Sequence, residues 1–181
     1  MDEIAEVEAL ESGQLIVWSK DNSRKLYNKT FYGKPLGNPK PEEDFEEPLI
    51  LDAIEGVYLL EKGLIKVKIK NREIKFNQLL KVAREQLDRF DEKYKVYKDL
   101  RERGLVVTPG LKYGCDFAVY KHGPGIDHAP YVVQVEKLSN ELGATDIVKA
   151  GRLASTVKKT FIIAIEAKEQ VDYLEFRWWK A

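Results

Sequence analysis

The chain has 181 residues, 44% of them hydrophobic, enough to bury the cores of one large domain or two small ones. Thirty Lys and Arg balance thirty Asp and Glu, so net charge exerts no general pull on a polyanion, and any nucleic-acid surface must be local. One cysteine and two histidines exclude an internal disulfide and the usual closed zinc shell. No run approaches the roughly 18 apolar residues of a membrane span, and the acidic opening MDEIAEVEALESG is not expected to be a signal peptide. A soluble protein of the reducing cytoplasm is the expectation, and abundant Lys and Glu beside one Met and one Cys is a composition found in hot environments.

In chain order, QLIVWS and RKLYNKTFYG alternate apolar and polar residues as short strands do. Residues 37–47, GNPKPEEDFEE, hold two prolines and five acids and read as an exposed insertion loop. Asp52 is placed to cap a helix through AIEGVYLLEK, which Gly63 ends. LIKVKIKN then alternates as a half-buried strand. These elements predict a small N-terminal α+β domain over residues 1–82, followed by a second domain over residues 83–181.

Asn77 to Arg103 is helix-forming, with Phe90, Tyr94, Tyr97 and Leu100 at helical spacing and Gly104 as the stop; a break within it is compatible with the sequence. YGCDFAVY and YVVQVEKL read as strands joined through the Gly/Pro loop KHGPGIDHAP, a hairpin with a long polar tip. The second half of SNELGATDIVKAGRLASTVKK reads as a helix carrying Ile147, Val148, Leu153 and Val157 toward one face. FIIAIEA and VDYLEFRWW close the chain as strands. The fold class expected is therefore α+β, the second domain a mixed sheet with flanking helices.

The succession LYNKTFYG, AIEGVYLLEKG, YKVYKDLRERG, YGCDFAVY, HAPYVV and AGRLASTVKKTFIIAI resembles that of the archaeal tRNA-intron endonucleases over nearly the whole chain. The most specific part of the resemblance is a spacing: Tyr120 precedes His128 by eight positions, and Lys159 follows His128 by thirty-one. The resemblance implies a catalytic subunit that cleaves precursor tRNA at a bulge-helix-bulge fold, leaving a 2′,3′-cyclic phosphate and a 5′-hydroxyl. It implies Tyr120, His128 and Lys159 as the catalytic residues and no cofactor.

The chemistry accounts for that trio. RNA carries its own nucleophile in the 2′-hydroxyl and needs only proton transfer and charge stabilisation, without a metal. An imidazole, which as a class titrates near about 6.5, suits the general acid on the departing 5′-oxygen. A phenol is a weak base unless a nearby cation favours the phenolate, a service Lys159 is able to give Tyr120. An ammonium also stabilises the extra charge of a phosphorane-like transition state. From residue chemistry alone, Tyr120 is equally an edge residue of an apolar strand, His122 competes with His128, and Lys158 competes with Lys159 as a charge at a helix C-terminus. The resemblance selects among them.

Lys149, Arg152, Lys158 and Lys159 form a run of cations without an acid, suited to a phosphate backbone. In the family an arginine seven residues before the catalytic lysine and a residue near the C-terminus pinch a bulged base; Arg152 and Trp178 match those positions. Ordinary packing is the competing reading of Trp178 and its neighbour Trp179. Lys40, in the acidic insertion loop, resembles a substrate-reaching lysine of one archaeal branch; a loop that only meets solvent is its plain alternative.

Three rivals stand beside this reading. One is a metal-dependent nuclease using Glu166 and Lys168 with Asp146 upstream, which a chelator separates. The others are a non-catalytic structural subunit and a general RNA-binding module. The resemblance also implies four-unit assembly. Self-assembling members carry an acidic loop between the last two strands, and here EAKEQVD is only weakly acidic. That favours a heterotetramer with a related structural subunit over a homotetramer.

Overall fold

The computed structural model describes residues 4–10, 12–141, 143–167 and 170–176. It has a mixed α+β architecture with two sheets. The chain divides into two compact units, Met1–Asp91 and Glu92–Ala181.

The first unit is built on strands β1 (Ala5–Ala9), β2 (Leu15–Val17), β3 (Lys34–Pro35), β4 (Leu49–Leu51), β5 (Ile65–Ile69) and β6 (Arg72–Ile74). They form one sheet in the order β3-β4-β2-β1-β5-β6, with only the β1–β5 pairing parallel among the registers described. Helices α1 (Lys20–Asn28), α2 (Ala53–Glu61) and α3 (Phe76–Gln86) accompany it. Burial alternates along β1 as period two requires: Ala5, Val7 and Ala9 lie inside, Glu6 and Glu8 outside. Leu15, Leu49, Leu51, Val57, Leu59, Ile65 and Val67 form the core.

One local expectation needs correction here. RKLYN is not a strand: it belongs to α1, because Ser19 caps the helix by accepting the Asn22 N–H at 3.4 Å, while Ser23 and Leu26, three residues apart, share the buried face. Short alternation was outweighed by a cap and a single helical stripe. After β5, Lys70 and Asn71 both adopt positive φ, so the chain turns straight back as β6. The capped helix is present as expected, with Asp52 accepting the Glu55 N–H at 2.7 Å and Glu55 accepting the Asp52 N–H at 3.1 Å. Glu55 is itself buried, and its carboxylate also receives the Gly33 N–H at 3.0 Å.

The insertion loop is fastened to α1. Phe45 is buried and meets the Tyr27 ring edge-on at 5.7 Å. Arg24 donates to the carbonyls of Phe45 and Asp44, Asn28 to that of Glu43, and Lys20 pairs with Glu46.

The long helical stretch is broken: α3 ends at Gln86, Arg89 takes a positive φ, and α4 (Phe90–Glu102) begins anew. Residues 82 and 83 lie inside α3, which packs on α2; along the chain the first unit ends at Asp91 and the second begins at Glu92.

The second unit carries β7 (Val106–Pro109), a 3-10 turn at Leu111–Tyr113, β8 (Phe117–Tyr120), β9 (Tyr131–Lys137), α5 (Ala144–Val157), β10 (Thr160–Glu166) and β11 (Val171–Phe176). Its sheet runs β11-β10-β9-β8-β7, antiparallel except for the β9–β10 pair, which α5 connects. The face of α5 differs from that expected: Ile147 and Val148 are exposed, whereas Ala150 and Ala154 are buried with Leu153 beside them, against Val132, Phe161 and Ile163. Two alanines at i and i+4 let the helix approach the sheet closely, which bulkier residues on that line would prevent. Helix α4 is tied to the same sheet by the partly buried pairs Lys93–Asp116 at 3.2 Å and Lys95–Glu166 at 2.9 Å. Asp116 also accepts the Val135 N–H at 2.8 Å.

At the sheet edge, the Tyr173 hydroxyl donates to Asp99 of α4 at 2.5 Å, and Arg103 donates to the same carboxylate at 2.7 Å. Burial alone would raise the Asp99 pKa, but the hydrogen bonds from Arg103 and Tyr173 outweigh it and hold the carboxyl below its usual range. Burial first, and then the bond to the Asp99 carboxylate, push the Tyr173 phenol above its usual range.

Two outcomes are expected. Gly33 has φ +71, and a Cβ there would lie 2.7 Å from the Ile50 carbonyl oxygen. Gly33→Ala should therefore lower unfolding free energy by about 1–3 kcal/mol, read from denaturant melts; an unchanged midpoint would refute the strain. For Asp99 and Tyr173, the folded state favours carboxylate and neutral phenol. Their contribution is present above the free carboxyl's pKa of about 3.9 and below the free phenol's of about 10, and is lost outside those limits. The melting-temperature deficit of Tyr173→Phe should be widest between about pH 5 and 9 and narrow at both extremes; a pH-independent deficit would contradict this linkage.

Candidate active site

The second sheet aligns its strands in a defined row. Val119 of β8 is opposite Tyr131 of β9, and Tyr131 is opposite Thr160 of β10. Tyr120 is one residue past Val119 at the end of β8, Lys159 one residue before Thr160 at the start of β10, and His128 three residues before Tyr131 ahead of β9. Because β8 runs against β9 and β9 runs with β10, all three positions fall at the same end of the sheet. With neighbouring strands about 4.8 Å apart, the backbones of Tyr120 and Lys159 are separated by two strand spacings, roughly 10 Å.

Lys159 is held by two contacts. Its ammonium donates to the Ala129 carbonyl at 2.5 Å and lies 5.1 Å from the centre of the Tyr113 ring. Thr160 N–H bonds the Pro130 carbonyl at 2.9 Å, so the entry to β10 is sewn to the two residues after His128. Lys158 differs sharply: it is exposed and closes α5 in a left-handed conformation, φ +51. The geometry thus separates two adjacent lysines that residue chemistry alone left equivalent.

His128 is exposed and Tyr120 half-buried. The loop between them is closed upon itself. The Asp127 carboxylate accepts the N–H groups of Lys121 at 3.2 Å, His122 at 3.3 Å and Gly123 at 2.9 Å. Burial of the Asp127 carboxyl would raise its pKa, but the bonds from Gly123, His122 and Lys121, with the nearby His122 charge, hold it below the usual range. His122 is exposed.

Arg152 is exposed on α5, about one and a half turns before the helix end. Lys40 belongs to the first unit, exposed at the tip of the fastened loop, where its N–H donates to Asn38 Oδ1 at 3.3 Å. Trp178, with Arg177 and Trp179, lies outside the described residues.

The carboxylates of the metal-dependent alternative have other engagements. Glu166 pairs with Lys95 at 2.9 Å, and Asp146 accepts the Gly143 N–H at 3.1 Å as a helix cap; Lys168 lies outside the described residues. Among the described residues, no three His, Cys, Asp or Glu side chains gather as a metal centre requires.

Two contributors escaped the sequence reading. Asp127 had a trace in the sequence, an acid after the two glycines of GPGID, but only the folded loop shows which N–H groups it gathers. Tyr113 had none, because its ring meets Lys159 through packing of the 3-10 turn against α5 and the sheet.

Comparison with known proteins places these elements in a family. Residues 8–80 match the tRNA intron endonuclease N-terminal domain, and residues 90–173 match the tRNA intron endonuclease catalytic C-terminal domain. The tRNA-splicing endonuclease of Hyperthermus butylicus is 42% identical over 169 residues, spanning 91% of this chain and 93% of its own. That of Saccharolobus solfataricus is 42% identical over 176 residues, spanning 94% and 97%. With two domain matches in order and similarity along almost the whole length of both relatives, the chain belongs to the tRNA intron endonuclease family and carries both its N-terminal and its catalytic C-terminal domain.

Proposed function

We propose that this chain is the catalytic subunit of a tRNA-splicing endonuclease that cuts precursor tRNA at the intron–exon junctions of a bulge-helix-bulge fold. The observation that carries the reading is the cross-strand row Val119–Tyr131–Thr160, which brings the chain positions of Tyr120, His128 and Lys159 to one sheet end. Tyr120 takes the proton of the 2′-hydroxyl as its oxygen attacks phosphorus. His128 protonates the 5′-oxygen as the P–O5′ bond breaks. Lys159 stabilises the additional negative charge on the phosphorane-like transition state. One bond forms and one breaks, one proton leaves and one arrives, and the products are a 2′,3′-cyclic phosphate and a 5′-hydroxyl. The balance needs neither water nor a metal.

Arg152 on α5, Trp178 beyond the described strand and Lys40 on the insertion loop are proposed RNA contacts. A bulged base held between a cation and a ring gains roughly 1–3 kcal/mol from stacking. The working enzyme is proposed to be a heterotetramer with a related structural subunit. Supporting this, the segment between the last two strands, EAKEQVD, is only weakly acidic, whereas self-assembling members carry an acidic loop there. A homotetramer is the alternative, separated by mass measurement in solution with and without the partner.

The test is cleavage of a bulged precursor in EDTA by the full chain, alone and with its structural partner. Retained cutting with cyclic-phosphate ends is expected. His128→Ala, Tyr120→Phe and Lys159→Ala should each lower kcat about 100- to 10,000-fold. Undiminished cutting by His128→Ala, or cutting abolished by EDTA and restored by Mg²⁺, would sink the proposal.

A further inference from the structure

The geometry points to Asp127 as the positioning residue of this site: by gathering the three main-chain N–H groups that follow Tyr120, its carboxylate fixes where Tyr120 and His128 stand relative to each other. The inference rests on the proposed roles of those two residues.

The closure works in both directions. One Asp127 oxygen takes the N–H groups of Lys121 and His122, and the other takes that of Gly123. In return, the Gly123 carbonyl accepts the N–H groups of Ile126 and Asp127, each at 3.1 Å. Pro124 and Asp127 complete the ring as a parallel bridge. Residues 121–127 therefore form a closed turn, and the residues entering and leaving it are Tyr120 and His128. The turn needs glycine where the backbone goes left-handed, and Gly123 and Gly125 have φ +137 and +88.

Only a carboxylate meets this demand. Three N–H groups converge on two oxygens, and an ionised Asp accepts at both. Asn offers one accepting oxygen and turns an NH₂ toward the remaining donor, a hydroxyl offers a single oxygen, and Ala offers none. The lowered Asp127 pKa agrees with a carboxylate that stays ionised at neutral pH. His128, by contrast, is exposed and has little packing of its own to set its place. Its location comes from the turn on one side and, on the other, from Ala129 and Pro130, whose carbonyls receive Lys159 and Thr160. Without the carboxylate, a loop with two glycines gains freedom at the point where general acid and general base must share one phosphate.

Positioning, not binding, is what Asp127→Ala should damage. Multiple-turnover cleavage of the bulged precursor by the assembled enzyme is expected to show kcat about 100-fold lower, the cost of misplacement by roughly 1 Å. KM should stay within about twofold and the melting temperature should fall only slightly, because the turn is exposed and not part of either core. Asp127→Asn should recover part of the loss through its one remaining acceptor, and it carries the test if the Ala variant folds poorly. In a His128→Ala background, Asp127→Ala should cost less than about twofold more, since there is no acid left to misplace. Wild-type kcat in Asp127→Ala beside an inactive His128→Ala overturns the positioning role alone. So does a loss fully multiplicative with His128→Ala, or one confined to KM. Full activity of His128→Ala overturns the catalytic reading and this inference with it.

Discussion

The hydrogen-bond register of β9 against its two neighbours is the constraint on which the rest of the site depends. β9 runs antiparallel to β8 and parallel to β10, so a single strand fixes both the end of one neighbour and the beginning of the other. Parallel pairing demands a long crossover, which α5 supplies, and this accounts for the wide sequence gap between His128 and Lys159. Slippage by one residue would turn every side chain of β9 to the opposite face. Val132, Val133, Val135, Phe161, Ile163 and Ala164 are buried, so such a slip would expose core residues. The apolar pattern that builds the sheet is thus also what sets the alignment of the polar residues at its end.

Electrostatics follow from that alignment. The chain balances its charges overall, and many lysines are spent on carboxylates: Lys93 on Asp116, Lys95 on Glu166, Lys137 on Glu92. Lys159 is held in another way, by a carbonyl oxygen and an aromatic face. Those partners orient an ammonium without cancelling its charge, which leaves it able to meet a phosphate. Its station just beyond the C-terminus of α5 adds a favourable field from the helix carbonyls. Net neutrality is therefore compatible with a cationic point at the sheet end, and composition alone gives no view of it.

Elements with a long-range signature were legible in the sequence. Strong periodicity in LIKVKIKN and the capping pair Asp52 and Glu55 made β5 and α2 readable, and apolar runs bounded by turns did the same for β9 and β10. RKLYN deceived because five residues of alternation fit either period, and the Ser19 cap was decisive only in three dimensions. On α5, Ile147 and Val148 looked like core by hydrophobicity, yet the sheet accepts the flatter line of Ala150 and Ala154. The candidate site residues rest on a different kind of signal. Tyr120, His128 and Lys159 were separated from His122 and Lys158 by family spacing, since each rival has the same chemistry as its neighbour. Contacts made across the fold, Tyr113 beneath Lys159 and Asp127 across its loop, are not encoded in any local pattern.

The insertion loop shows how a segment that looks like mere solvent excursion acquires a fixed shape. Its acids would repel one another and any nearby phosphate, and a loose loop would also lose conformational freedom on meeting RNA. Here part of that cost is met during folding: Phe45 is buried against Tyr27, Arg24 and Asn28 bind three consecutive carbonyls, and Glu46 and Glu47 are engaged by Lys20 and Asn38. Main-chain carbonyls, not the acidic side chains, are the handles for Arg24 and Asn28, so Glu43 and Asp44 keep their charge toward solvent. Lys40 consequently stands on a preorganised tip beside a negative base. In the proposed role its contact with RNA has to be short-ranged and geometric, because at distances beyond a Debye length of about 8 Å the loop offers a polyanion no attraction.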